Sequence, residues 1–325
     1  MKKSLIASIL VIIALSSVFA TGTAENEKSL PDIVEIYVPA SAGGGTDVMA
    51  RTLANQIALD SEIDITVVNN VEQGGIAALE IVRNAAPDGS VIMQTHSGAQ
   101  LWTANGIYDH SIPDEFTVIV AALTADQATY TLVSSTSLEY QTLPDLIRYA
   151  EANPGKVRFG VDVGSTSHVL SGMFANAAGI EIQYVSAGSD TNKLKALENG
   201  EIDACFVNAN QAKQYVDASI VNALAVVARE STGGRSEVMR YVPCLQEYGY
   251  DVSFATVNFI IGPKGMDPGL VTLIHDSYVE AYGKTFNYLE PRGFGMEFLT
   301  EEDGLAQLKS DQAKYNKIAA EIGLN

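Results

Sequence analysis

The amino-acid sequence predicts an α/β protein of two lobes, each built on a mostly parallel sheet flanked by helices. Short apolar runs typical of strands alternate with segments of helical spacing along most of the chain. This alternation is typical of parallel sheets with crossover helices. The 325 residues are enough for about two domains, each with its own core. Two further apolar runs, at residues 129–133 and 253–261, look like crossings between the lobes.

The first lobe is predicted to be discontinuous and to comprise residues 25–133 and 254–325. Its elements in order are a strand at 34–38, a helix at about 47–59, a strand at 65–68, a helix opened by Gly74 and Gly75, and a strand at 91–94. The helix at 47–59 is predicted because Val48, Leu53 and Ile57 recur at roughly helical spacing. The C-terminal segments 268–283 and 301–322 are also predicted to be helical.

The second lobe is predicted to be inserted between the two crossings, at residues 134–253. Its strands are expected at 157–161, 183–185 and 204–207, and its helices at 143–152, 167–178 and 191–199.

The charge of the chain bears on the class of partner. The sequence has 20 basic and 39 acidic residues, a formal charge of -19. A phosphate backbone requires a basic face, so this balance argues against a nucleic-acid partner. Small anions remain possible ligands, because backbone amides can hold them without Lys or Arg.

The N-terminus has the layout of a secretory signal peptide, predicted at residues 1–24. A short basic start precedes an apolar run at 4–18 and small-residue cleavage sites ending at Ala20 or Ala24. A membrane anchor is the alternative, but the run is shorter than the roughly 20 residues of a span. No Cys lies near the cleavage region to carry a lipid. We therefore expect a freely soluble periplasmic protein.

Cysteine and histidine give no metal motif. Cys205 and Cys244 are the only cysteines, and they are either a disulfide, which an oxidising compartment permits, or two separate buried thiols. The four His are scattered, with no i, i+4 pair. We expect no metal and no cofactor.

Candidate binding residues concentrate in loops that follow strands. The first loop contains Ser41, Ala42, Gly43, Gly44, Gly45, Thr46 and Asp47, directly before a helix. Its glycines let the backbone turn N–H groups outward, and the helix start favours an anion. It is neither a P-loop nor a dinucleotide fingerprint, because the required Lys and the GxGxxG spacing are missing. A tight, well-capped turn is the alternative.

A second loop, with Ser165, Thr166, Ser167 and His168, also lies between a strand and a helix. Its hydroxyls and amides suit a carboxylate. A hydrolase would pair a serine with His168, but adjacent helical residues point about 100° apart and no GxSxG elbow is present. His168 is alternatively a helix-start residue bonded to backbone.

Weaker candidates occupy equivalent strand ends, where open α/β sheets bind ligands. They are Ser97, Gly98, Ser186, Ala187, Gly188 and Asn208. Trp102 follows the Ser97 loop and is either a core residue or a lid over the cleft.

Several of these segments, in order, resemble the substrate-binding receptors of tripartite tricarboxylate transporters, often called Bug receptors. The resemblance spans nearly all of the chain after the signal peptide. It rests on Val38-Pro39, Gly43-Gly44-Gly45-Thr46-Asp47, Ala86-Pro87-Asp88-Gly89, Ala152-Asn153-Pro154-Gly155-Lys156, Gly164-Ser165-Thr166-Ser167-His168 and Gly200-Glu201-Ile202-Asp203-Ala204. The chain departs from the family at Ala40-Ser41-Ala42, at Val185-Ser186-Ala187-Gly188-Ser189 and at Val207-Asn208, which affects the distal end of the pocket.

The resemblance implies a periplasmic binding-protein fold of type II, a Venus flytrap that closes over a small organic carboxylate. Amides and hydroxyls of the first loop and of the Gly164–His168 loop would hold the acid, and the closed form would dock on membrane permease subunits. We expect a monomer that performs no bond chemistry. The alternative is a periplasmic sensor that delivers its ligand to a signalling partner.

Overall fold

The computed structural model describes residues 29–126 and 128–323, so the predicted signal peptide lies outside the described residues. The described chain forms two mixed sheets with helices around them. The first sheet has six strands and the second has five. No helix in these two ranges is both long enough and apolar enough to span a membrane.

The first sheet begins with three parallel strands, β1 (Ile33–Val38), β2 (Asp64–Asn69) and β3 (Val91–His96). Alternate residues of β1 are buried, which follows from the period of two along a strand. Helix α1 (Gly45–Ser61) joins β1 to β2, and α2 (Ile76–Arg83) leads to β3. The observed α1 begins before and ends after the predicted helix at 47–59.

The remaining strands of this sheet are β4 (Phe116–Thr124), β10 (Val257–Pro263) and β11 (Met296–Phe298). Short helices α3 (Gly98–Ala104) and α4 (Ile112–Glu115) connect β3 to β4. The spatial order is β11-β4-β10-β3-β1-β2, and β10 runs antiparallel to both neighbours. Four of the six strands therefore point one way, as predicted, and their carboxyl ends share one edge.

The second sheet has the order β7-β6-β8-β5-β9. Its strands are β5 (Ala128–Ser135), β6 (Val157–Val161), β7 (Ile182–Ser186), β8 (Ala204–Asn208) and β9 (Val221–Ala228). Strands β6, β7 and β8 are parallel, and β5 is antiparallel to β8 and β9. The helices between them are α5 (Leu143–Ala152), α6 (Thr166–Ala178), α7 (Asp190–Glu198) and α8 (Ala209–Asp217).

One sheet assignment differs from the prediction. The run at 129–133, assigned to the first lobe, lies in β5 and pairs within the second sheet. The chain therefore leaves the first sheet after β4, at residue 124, and not after residue 133. The sequence could not show this, because an apolar strand does not reveal which sheet it joins. The other lobe boundaries stay predictions.

Side-chain hydrogen bonds join the two segments that cross between the lobes. Arg229 Nη1 donates to the Thr124 carbonyl at 3.0 Å and to Glu297 Oε2 at 3.2 Å. Asp126 accepts hydrogen bonds from Ser236 Oγ at 2.8 Å and from the Glu237 amide at 3.0 Å. These bonds connect the exit from the first sheet to the segment that returns to it.

Two long helices complete the fold, α9 (Pro268–Leu289) and α10 (Glu301–Glu321). Helix α10 contacts both lobes, because Leu308 packs into a core of the first sheet and Tyr315 and Ile318 pack into a core of the second. Gln312 Nε2 also donates a hydrogen bond to the Gln100 carbonyl at 3.1 Å. Gln100 Nε2 in turn donates to the Leu308 carbonyl at 2.7 Å.

Cys205 and Cys244 are both buried and free, so the structure has two thiols and no disulfide between them. Burial raises the pKa of the Cys205 thiol to about 12.

Candidate functional site

The candidate site is the cleft between the carboxyl ends of the two sets of parallel strands. The lobes touch at two places beside it. Asn105 Nδ2, after α3, donates to the Gly164 carbonyl of the second lobe at 2.9 Å. Gly293 of the first lobe lies directly against the side chain of Asn210 in α8, with no room for a Cβ atom. The adjacent Phe294 packs on Gly45, so the first loop lies on the same side as the second-lobe loops.

The loop between β1 and α1 is closed by its own hydrogen bonds. Gly43 has a φ of +80° and donates its N–H to Asp47 Oδ2 at 2.8 Å. The Gly44 N–H bonds the Ser41 carbonyl at 3.1 Å. The N–H groups of Gly45, Thr46 and Asp47, in the first turn of α1, have no partner among the described residues. These three amides are the donors that the loop offers to an anion.

Asp47 builds this loop and is only 3% exposed. Its Oδ1 accepts from Arg51 Nε at 2.9 Å and from Asn69 Nδ2 at 2.8 Å. Burial by itself raises the pKa of this carboxyl, but the hydrogen bonds from Gly43, Asn69 and Arg51 outweigh it and hold the pKa below its ordinary value. The Asp47 side chain thus positions the amides of this loop. Asn69, which sequence reasoning missed, also donates to the Ala40 carbonyl at 2.9 Å.

The loop after β3 is likewise stabilised by hydrogen bonds to other residues of the protein. Ser97 is fully buried, and its Oγ accepts from the Val257 amide at 2.9 Å, which ties the end of β3 to β10; its role as a ligand residue stays a prediction. His96 Nδ1 accepts from the Gly98 amide at 3.0 Å, which places Gly98 in the same internal network. Burial lowers the pKa of His96, and Asp190 of the second lobe opposes that effect.

Three of the four predicted residues in the loop before α6 stabilise that loop. Ser165 Oγ accepts from the Ser167 amide at 3.3 Å, and Ser167 Oγ accepts from the Asp162 amide at 3.0 Å. His168 Nδ1 accepts from the Gly164 amide at 3.2 Å, and burial lowers the pKa of His168. The structure thus confirms the backbone-bonded interpretation of His168. Among the described residues, no hydrogen bond joins His168 to the hydroxyl of Ser165 or Ser167.

Thr166 is the member of this loop best placed for a ligand. Its amide has no partner within the described ranges, and the residue is 6% exposed. The phenol of Tyr130 lies beside the hydroxyls of Thr166 and Thr256, and burial raises the pKa of Tyr130 to about 12. Thr256 Oγ1 is buried without a direct hydrogen bond in the described chain. Tyr130 and Thr256 lie on the crossing segments and gave no sequence signal for binding.

The remaining predicted residues line the second-lobe wall. The amides of Ala187 and Gly188 both bond the Val161 carbonyl, at 2.8 and 3.3 Å, which folds the β7 loop onto the end of β6. Ser186 ends β7 and is exposed. Asn208 caps α8, because its Oδ1 accepts from the Asn210 amide at 2.9 Å.

Asp190 and Lys193 form an ion pair in this wall that sequence reasoning missed. Asp190 Oδ2 accepts from the Asn208 amide at 2.8 Å, and Oδ1 lies 2.7 Å from Lys193 Nζ. The i, i+3 spacing at the start of a helix is the only signal that could have found the pair.

Trp102 packs beneath the first loop. A Cβ atom on Gly75 would lie 2.8 Å from the Trp102 ring and 2.7 Å from Pro39. Of the two interpretations, the structure supports the core residue over the lid. Within residues 29–126 and 128–323, no group of three or more His, Cys, Asp or Glu side chains is arranged to hold a metal ion.

Comparisons with known proteins agree with this architecture. Residues 49–324 match the family model described as tripartite tricarboxylate transporter family receptor. The chain is 27% identical over 280 residues to the protein BugT of Bordetella pertussis, covering 85% of this chain and 84% of BugT.

Solved structures share the fold at low identity. A Rhodopseudomonas palustris protein with adipate superimposes with a TM-score of 0.73 at 22% identity, covering 90% of this chain and 97% of that one. MatC of the same species with bound malate superimposes with a TM-score of 0.73 at 18% identity, covering 88% of this chain and 98% of MatC. These matches confirm the predicted two-lobed α/β fold, and the match over residues 49–324 shows that the chain belongs to the receptor family of the tripartite tricarboxylate transporters.

Proposed function

We propose that this protein is a periplasmic solute-binding receptor. It captures a small organic carboxylate between its lobes and delivers the acid to the membrane permease of a tripartite transporter. It acts as a monomer after export and performs no bond chemistry. Family membership supports the receptor role, and the adipate and malate carried by two structural neighbours support a carboxylate as the ligand class.

The observation that carries the proposal is the set of free amides in the first turn of α1. Gly45, Thr46 and Asp47 each present an N–H with no partner among the described residues, at the positive end of a 17-residue helix. The loop is already fixed by Gly43 and Asp47, so binding requires little further ordering of the backbone.

A ligand held there reaches the second lobe at Thr166. Each hydrogen bond to a charged group contributes about 1.5–3 kcal/mol, so four or five such bonds support micromolar affinity after ordering costs. The carboxylate replaces water on one lobe, then bridges to the other and favours the closed state.

The test begins with native mass spectrometry of the purified protein to find a retained acid, followed by calorimetric titration with small carboxylates. Thr166→Val removes one hydroxyl at nearly constant volume and is expected to weaken binding about tenfold to a hundredfold. Thr131→Val is the matched control, because Thr131 Oγ1 is buried inside β5 with no hydrogen-bond partner among the described residues and Thr131 has no exposed surface. Unchanged affinity in Thr166→Val would contradict a role for the Thr166 hydroxyl, and no binding of any carboxylate by the wild type would contradict the proposal.

Loss of acid uptake on deletion of the gene supports the transport role. Normal uptake with lost gene induction would instead show a sensor.

A further inference from the structure

A short turn after α3, residues 105–107, lies directly against the loop that precedes α6. Asn105 Nδ2 donates to the Gly164 carbonyl at 2.9 Å, and this hydrogen bond is buried. Gly164 has a φ of +78°, and a Cβ atom built on it would overlap Ile107 Cδ1. One hydrogen bond and one close apolar contact therefore join the turn to the loop that carries Thr166.

The turn is itself fixed between the two lobes. The Asn105 amide bonds the Leu101 carbonyl at 2.9 Å. The Ile107 amide bonds the Trp102 carbonyl at the same distance. Leu101, before the turn, packs into a core of the second sheet, and Tyr108, directly after it, packs into a core of the first. A turn anchored in both cores gives the loop a fixed point of attachment.

The peptide groups on both sides of Gly164 are held by side chains. The Gly164 N–H bonds His168 Nδ1 at 3.2 Å, and the Gly164 carbonyl accepts from Asn105. Two residues later, the Thr166 amide has no partner in the described ranges. The direction of this free amide therefore depends on the two bonds made at Gly164.

Asn105 does not have the surroundings of a residue that serves packing alone. It is 8% exposed, and its Oδ1 is buried with no hydrogen-bond partner in the described part of the chain. A buried amide oxygen without a partner costs free energy that an apolar side chain of the same size would avoid. The favourable contribution of the Asn105 amide is therefore its bond to Gly164.

We propose that Asn105 is a positioning residue for carboxylate binding, which holds the Gly164 peptide group so that the Thr166 amide and hydroxyl face the ligand. Asn105 acts through the loop and does not touch the ligand. The inference rests on the proposed function, because it assigns Asn105 to the second-lobe part of the same binding site.

The experiment is calorimetric titration of the mature protein with malate, succinate, glutarate, adipate and citrate, followed by titration of the variants with whichever binds the wild type most tightly. Asn105→Leu removes the donor at similar volume and is expected to weaken binding about tenfold. Its unfolding temperature should change little, because the variant loses one dehydrated oxygen and leaves the Gly164 carbonyl without its donor, and these effects oppose each other.

Asn153→Leu is the matched control. Asn153 Nδ2 also donates to a backbone carbonyl, that of Tyr149, at 2.9 Å. Asn153 follows α5 and precedes β6, so it lies at the end of that strand away from the cleft. The control should keep full affinity.

A double-mutant cycle shows whether Asn105 acts through the Thr166 loop. If it does, Asn105→Leu combined with Thr166→Val should lose at least about threefold less affinity than the product of the two single losses. Asn105→Leu combined with Gly43→Ala, which perturbs the first loop, should give the full product. If Asn105→Leu does not fold, Asn105→Ser replaces it throughout, because its shorter side chain cannot span the distance to the Gly164 carbonyl.

The outcomes separate this inference from the function on which it rests. Affinity within about twofold of wild type in the Asn105 variant refutes the positioning role and leaves the receptor role standing. A loss that multiplies fully with that of Thr166→Val, or that Asn153→Leu reproduces, also refutes it, because the effect would then be one of general stability. If the wild type binds none of the five acids, the proposed function fails together with the inference.

Discussion

The positive φ of Gly43 offers a direct test of how the first loop presents its amides. At φ +80° a Cβ atom on Gly43 would meet nothing within 4 Å, so Gly43→Ala introduces no steric clash. The substitution acts through the backbone alone, because a left-handed conformation costs a residue with a Cβ atom about 1–2 kcal/mol. If the loop relaxes to avoid this cost, the hydrogen bond from Gly43 to Asp47 is lost and the amides of Gly45 and Thr46 move.

Losing one charge-assisted hydrogen bond of about 1.5–3 kcal/mol weakens carboxylate binding about tenfold to a hundredfold. Calorimetric titration measures this loss, and thermal unfolding measures the stability cost. Gly179→Ala is the matched control, because Gly179 has a φ of +65°, has open space around it and ends α6 away from the cleft. It should lose similar stability and keep full affinity. The reasoning is refuted if Gly43→Ala lowers the unfolding temperature as Gly179→Ala does but binds within about twofold of wild type.

Two further predictions concern titration and thiol chemistry. The folded pKa of His168 is below its ordinary value, so stability is full above about pH 6.5 and falls as the pH drops and the unfolded chain takes up the proton. His168→Asn, which keeps an acceptor for the Gly164 amide, should therefore show a smaller loss of unfolding temperature than wild type between about pH 7.5 and pH 5.5, whereas equal losses would contradict the assignment. Cys205 and Cys244 should react with a thiol reagent only after unfolding, and a disulfide in the exported protein would contradict two free thiols.

The alternation of strands and helices was predictable because each element carries a local signal. Helix α5 and strand β6 have the predicted bounds, since Thr142 caps the helix and Pro154-Gly155 separates the two elements. The sheet to which β5 belongs was not predictable, because its partners are set by crossings and not by its own composition. The antiparallel direction of β10 was not predictable for the same reason, because it depends on how the chain returns to the first sheet.

The candidate site shows the corresponding limit for function. A polar residue in a strand-end loop either binds a ligand or holds the loop, and its composition does not distinguish the two roles. The Ser97 hydroxyl is bonded to the amide of Val257, 160 positions away in the chain. The Asp47 carboxylate is bonded to Asn69 at the end of the next strand. The binding role of these loops stays a prediction, while the side chains that hold each loop by internal hydrogen bonds could be identified only from the tertiary structure.

Helix α10 has a consequence for how the two lobes acquire their structure. Tyr315 stacks on Phe254 with ring centroids 5.5 Å apart, and both rings belong to the core of the second sheet. The strands of that sheet end at Ala228, so its core is completed by a helix that follows every strand of both sheets. The core of the second sheet thus depends on a helix that lies far beyond its last strand in the chain. Expressed alone, the inserted segment would lack part of its interior, and a chain cut before Tyr315 would leave an apolar void at the place where the lobes are joined.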